Sequence, residues 1–298
     1  MKKGIILGLI LTLILGIGLS LAKDNGEKGL KVFISVDMEG IAGVVNWEEV
    51  NRSGLDYNLF RRLMTEETNA AIEGALEAGA GYILVRDAHG SGRNLLPDLL
   101  NPKAELIRDW SGGPFSMMEG IDSTFDAVIF IGYHAKAGTP NGVLKHTMNS
   151  RTIADVKLNG ISVPEAGING AIAGYFGVPV VFIAGDKAIC KQAKDLFPWV
   201  EAVAVKEGIG SAVKTLHPKV ARKRIKERVY YALTHLKKYK PFVIKPPYTI
   251  EVTFIDEVLA NKVSFIPYAK RTGPLSVSFT DDDFIQVLRF FKTALAVR

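Results

Sequence analysis

The sequence predicts an α/β fold: a mainly parallel sheet with helices on both faces, plus a smaller C-terminal α+β subdomain. Three observations carry this expectation. Short uninterrupted apolar runs recur between turn residues, as strands covered on both faces require. Segments of helical periodicity alternate with them, the pattern of successive β-α-β units. Beyond about residue 210 the strands instead alternate apolar and polar residues, as half-exposed strands do.

The first core strand is residues 32–36, Val-Phe-Ile-Ser-Val, which ends in Asp37-Met38-Glu39-Gly40. Residues 57–78 form an amphipathic helix with Leu59, Leu63, Ala70, Ile72 and Leu76 on one face, stopped by Gly79-Ala80-Gly81. Strands follow at 82–85, running into Asp87-Ala88-His89, and at 127–131, running into Gly132-Tyr133-His134. Residues 153–158 and 161–163 flank Asn159-Gly160, a hairpin signal. Glu165 then opens a small-residue helix over 166–175, and strands are expected at 178–183 and 200–205. A long helix over 218–236, a basic connector over 237–247, strands at 249–254 and 275–279 and a closing helix from an Asp281 cap to Ala296 complete the chain.

The expected organisation is a signal peptide or N-terminal anchor at 1–22, a tether at 23–29, a catalytic α/β domain at 30–210 and the smaller subdomain at 211–298. Met-Lys-Lys, an uncharged stretch from Gly4 to Ala22 and the small-residue end Ser20-Leu21-Ala22 have the layout of a secretory signal. The same run is barely long enough to span a bilayer, so an uncleaved anchor is the alternative. Both place the working part outside the cytoplasmic membrane, whether periplasmic, secreted or anchored. The net charge of +6 falls to +4 without Lys2 and Lys3, and no basic cluster sits beside aromatics, so nucleic acid is not an expected partner. Cys190, the single cysteine, excludes an internal disulfide and reads as a packed apolar residue.

Asp37 and Glu39 follow a strand end, and open α/β sheets bind ligands outside the carboxyl ends of their strands. Residues two apart share a face, so the two carboxylates converge and call for a positive group between them. His89 and His134 also follow strand-like runs, and Glu165 opens a helix. Mixed carboxylates and imidazoles suit zinc and, less selectively, manganese or cobalt. Asp37, Glu39, His89, His134 and Glu165 outnumber the ligands of one catalytic zinc and fit two metals sharing a carboxylate. His146 lies nearby beyond a glycine-bearing turn. Asp87 is a candidate turn cap, and Glu66 and Glu119 are acids able to hold a substrate amine.

Ser35-Val36-Asp37-Met38-Glu39-Gly40-Ile41 resembles the opening signature of the zinc D-aminopeptidase (DppA-type) family. Met64-Thr65-Glu66-Glu67, Val85-Arg86-Asp87-Ala88-His89, Pro114 to Gly120, Phe130 to Ala135 and Ala184-Gly185-Asp186 resemble it in the same order, over roughly residues 30–215. The resemblance implies two zinc ions per chain (Zn2+), with Asp37 bridging and Glu39, His89, His134 and Glu165 as the other ligands. It implies His146 as the catalytic group, usually regarded as the nucleophile. It also implies short peptides with a free, D-configured N-terminal residue as substrates, and a homo-oligomer, a decamer in the family. This chain departs from the family in its export segment and in one extra residue between His134 and His146. The residues alone also admit an exported metal-containing peptide-binding protein, which has no need of His146, or a dinuclear metallohydrolase acting on another bond such as a phosphoester.

Overall fold

A computed structural model describes residues 29–297. The chain runs β1 (Leu30–Val36), α1 (Trp47–Val50), α2 (Tyr57–Glu77), β2 (Ala80–Asp87), β3 (Glu105–Ile107), β4 (Ala127–Tyr133), β5 (Ile153–Leu158), β6 (Ile161–Ser162) and α3 (Glu165–Tyr175). It continues through β7 (Val180–Asp186), α4 (Lys187–Leu196), β8 (Glu201–Ile209), β9 (Ala212–Thr215), α5 (Pro218–Thr234), β10 (Tyr248–Phe254), α6 (Glu257–Val263), β11 (Lys270–Arg271), β12 (Ser276–Asp281) and α7 (Phe284–Ala296). The segment expected at 1–22 and all of the tether expected at 23–29 except Gly29 lie outside the described residues. Among the described residues no helix is long and apolar enough to cross a membrane.

Seven strands form the main sheet in the order β3-β2-β1-β4-β7-β8-β9, parallel except for the β8-β9 hairpin. Period-two alternation divides its core. Val32, Ile34 and Val36 of β1 join Met64, Ala71 and Ile72 of α2 and Ile225 and Val229 of α5. Phe33 points the other way, edge-on to Phe125, into the core shared by α3, α4, α7 and the second sheet. Each such large apolar side chain stabilises the fold by roughly 1.5–3 kcal/mol when fully buried.

The second sheet is antiparallel, in the order β11-β12-β10-β5-β6. A division at residue 210 therefore does not follow the sheets. The hairpin β5-β6 pairs with β10, whereas α5 packs on α2. The reason is that a strand's sequence position does not reveal its partner; the alternating burial of β5 belongs to the half-exposed class seen in β10. Helix α7 is capped by Asp283, whose carboxylate accepts from the Ile285 amide at 2.8 Å, while Asp281 ends β12.

This topology places the site. From β1 the chain moves outward to β2 and β3, then returns to β4 on the opposite side of β1. The strand order thus reverses between β1 and β4, and a crevice opens at their carboxyl ends.

Candidate metal centre

Backbone packing brings the loop after β1 against the end of β4. The Asp37 amide donates to the Ile131 carbonyl at 2.8 Å and the Gly40 amide to Gly132 at 2.7 Å. A Cβ on Gly40 would run into the Tyr133 carbonyl oxygen, and one on Gly132, whose φ is +71°, into that of Asp37. Only glycine permits this approach at both positions.

Buried Lys206 of β8 fixes the same loop from below. Its Nζ donates to the carbonyls of Glu39, Ile41 (3.0 Å) and Val44 (2.7 Å). Burial lowers its pKa to about 8, against the pull of Asp186, Glu67 and Glu39. Glu67 of α2 accepts from the Ala42 amide at 2.9 Å, and burial raises its pKa to about 7.

Six side chains converge above this base. His89 Nδ1 lies 3.1 Å from Asp37 Oδ1 and 2.9 Å from Glu39 Oε2. His134 Nε2 lies 3.4 Å from Asp37 Oδ2 and 3.5 Å from Glu165 Oε2. His146 Nε2 lies 3.8 Å from Glu39 Oε1 and 3.7 Å from Glu165 Oε1. The rings of His134 and His146 stack at 4.1 Å, and Trp47 stands edge-on to His146.

The far nitrogen of each histidine is committed to a main-chain carbonyl: His89 Nε2 to Val50 at 2.8 Å, His134 Nδ1 to Ala135 at 3.0 Å and His146 Nδ1 to Leu144 at 2.8 Å. A carbonyl only accepts, so each far nitrogen carries the proton. The near nitrogen of a neutral ring is then a bare lone pair aimed between two carboxylate oxygens, the orientation that ligating histidines take. His134 Nε2 is buried with no hydrogen-bond partner.

The charges demand a cation. Burial, then the Glu39 charge, raises the Asp37 pKa. Burial also opposes ionisation of Glu39, yet His89, His146 and His134 hold it well below the usual carboxylate range. Burial disfavours charged His89 and His134, yet their carboxylate neighbours push both pKa values well up. The cluster thus draws positive charge onto its histidines. Nitrogen and oxygen donors of this type, with an orphaned buried imidazole nitrogen, fit divalent zinc. Three trios have ligand atoms within 4.8 Å of one another: Asp37-Glu39-His89, Asp37-His134-Glu165 and Glu39-His134-His146. Asp37 belongs to the first two.

All six residues singled out from the sequence meet here. Asp87 does cap its turn, accepting from the amides of Asn94 at 2.6 Å and Leu95 at 2.7 Å and so shaping the His89 loop. Glu66 does not reach the site; it pairs with Arg222 of α5, the helix packed on α2. Glu119 does not line the cavity. Cys190 is buried and its thiol is pushed up to about 12 by burial, which makes it inert. Sequence reasoning missed the roles of Lys206, which stands beside Glu207 just past the expected strand and carries no local signal of burial, and of Asp186. Asp186 caps α4 through the Ile189 amide at 2.7 Å and holds the Val143 amide at 2.9 Å, anchoring the loop that carries His146.

Comparison with known proteins defines the class. A profile of the peptidase M55 family, described as D-aminopeptidase, matches residues 30–293. The chain belongs to this family of D-aminopeptidases, which are metallopeptidases. It is 37% identical over 275 residues to the D-aminopeptidase of Bacillus subtilis strain 168, covering 90% of this chain and 98% of that one. Its fold superposes with a TM-score of 0.86 on the Zn-dependent D-aminopeptidase DppA from Bacillus subtilis, a self-compartmentalizing protease, at 35% identity over 90% of this chain and 97% of that one.

Proposed function

We propose that this protein is a zinc-dependent D-aminopeptidase that removes N-terminal D-amino acids from short peptides, with two zinc ions per chain. The observation that carries the dinuclear reading is Asp37, shared by two ligand trios, with Oδ1 facing His89 and Oδ2 facing His134. Glu39 and His89 complete one position and His134 and Glu165 the other. Zinc held there supplies Lewis acidity, polarising a carbonyl and making water acidic near neutral pH.

The chain's own groups supply the rest. His146 lines the cavity, and the Leu144 carbonyl keeps its proton on Nδ1. Its Nε2 is therefore a base facing the cavity, placed to take a proton and return it to the leaving amine. Glu165 is held by the Met148 amide at 2.6 Å, which couples the His146 loop to α3. The D-preference and an oligomeric assembly rest on kinship with the Bacillus subtilis enzyme. The apolar segment after Met-Lys-Lys supports export.

Zinc content and turnover measured together test this reading. Asp37→Ala is expected to lose both ions. His146→Asn is expected to keep its zinc while its chemical step falls by on the order of 10²–10⁴. A full zinc complement in Asp37→Ala would remove the bridging role, and normal turnover in His146→Asn would remove the catalytic one.

A further inference from the structure

The cavity over the six-residue cluster encloses about 1090 Å³, slightly more than the ~300–1,000 Å³ typical of small-ligand sites. Its floor is acidic and its wall is basic: Arg52, Lys145, Arg151 and Lys292 all line it. These cations come from separate parts of the chain. Arg52 follows α1, Lys145 and Arg151 flank the His146 turn, and Lys292 projects from α7. Arg52, Lys145 and Arg151 are exposed, and none of their side chains has a hydrogen bond or ion pair with another described residue. Lys292 is half-buried over the face of Trp110, 5.2 Å from the ring centroid, and Arg86 stacks on the same ring at 4.4 Å.

Like charges gathered round one opening repel, and an anion shared between them relieves that repulsion. The floor does not provide it. Three carboxylates facing two divalent ions leave the floor with no surplus negative charge. Whatever enters therefore also meets the positive charge of these four side chains around the metal-facing floor. A short peptide lying with its N-terminal residue at the floor has one obligatory anion, the carboxylate at its other end.

On the reading of the protein as an aminopeptidase, we infer that Arg52, Lys145, Arg151 and Lys292 form a rim that binds the C-terminal carboxylate of the substrate. This makes the enzyme selective for short peptides with a free C-terminus. Arginine forks match carboxylates with two parallel hydrogen bonds, and lysines add point charge. The carboxylate does not change during amide cleavage, so its contacts lower KM more than they raise kcat.

The test compares D-alanyl-glycyl-glycine with its C-terminal amide on zinc-loaded full-length protein at low and high salt. The wild type is expected to favour the acid in kcat/KM by on the order of tenfold, with the preference shrinking at high salt. In the double variants Arg52→Ala/Arg151→Ala and Lys145→Ala/Lys292→Ala the acid-to-amide ratio is expected to fall toward one, through KM. Equal kcat/KM for acid and amide in the wild type, or a ratio unmoved in both variants, would overturn the rim and leave the aminopeptidase reading standing. Cleavage of neither peptide would overturn the reading itself and the rim with it.

Discussion

Lys206→Met removes the ammonium group that holds the loop carrying Glu39 and leaves a side chain of similar reach. Three buried carbonyls, of Glu39, Ile41 and Val44, lose their donor. At ~1–3 kcal/mol for each unsatisfied buried group, the loss is about 6 kcal/mol at the centre of the range. Against this, the variant no longer buries a charge. Burial lowers the lysine from 10.5 to about 8, which is worth ~3 kcal/mol in the opposite direction. The net expectation is a destabilisation of about 3 kcal/mol, or roughly 5 °C for a chain of this length. Because the freed loop carries Glu39, zinc affinity is expected to fall by ~10–100-fold, as it does when an outer group that orients a ligand is lost. Thermal unfolding of the zinc-free protein gives the first quantity and competition with a calibrated chelator gives the second. A melting temperature and zinc affinity both equal to wild type would refute the claim that Lys206 holds this loop.

Two further outcomes follow from particular groups. Glu67 titrates near 4.5 when unfolded and at about 7 when folded, so between these values the folded protein holds a proton that the unfolded chain has released. The stability it contributes is full below pH 4.5 and is lost as pH rises through about 7; relative to Glu67→Gln, wild type should lose on the order of 3 kcal/mol over that window. An equal pH slope in the two proteins, measured by denaturant unfolding, would show that Glu67 does not titrate there. For export, N-terminal sequencing of protein from its native extracytoplasmic fraction is expected to begin at Lys23; an intact Met1 on membrane-bound material would identify an anchor instead.

The layered α/β core was legible because its strands are covered on both faces. Runs such as Val32 to Val36 and Ala127 to Ile131 admit few other readings, and their carboxyl ends fix where Asp37, Glu39, His89 and His134 emerge. The hairpin at Asn159-Gly160 was equally plain, but its partner was not: β5 pairs with β10, almost a hundred residues away, and nothing local encodes that choice. Helix α4 was missed because it starts directly on the last strand residue, Asp186, which serves both elements. The ligand-type residues could be read by their chemistry. The groups that orient them could not, since Val50, Ala135 and Leu144 act through main-chain carbonyls that carry no side-chain signature. Lys206 looked like any surface lysine until the loop closed over it.

The most direct measurement is hydrolysis of D-alanyl and L-alanyl p-nitroanilides by one preparation, first stripped with a chelator and then reloaded with zinc. The arrangement of Asp37, Glu39, His89, His134, His146 and Glu165 predicts no turnover after stripping and recovery that saturates at two equivalents of zinc, and membership of the D-aminopeptidase family predicts preference for the D-substrate. Undiminished activity after zinc has been removed, or preference for the L-substrate, would contradict the account.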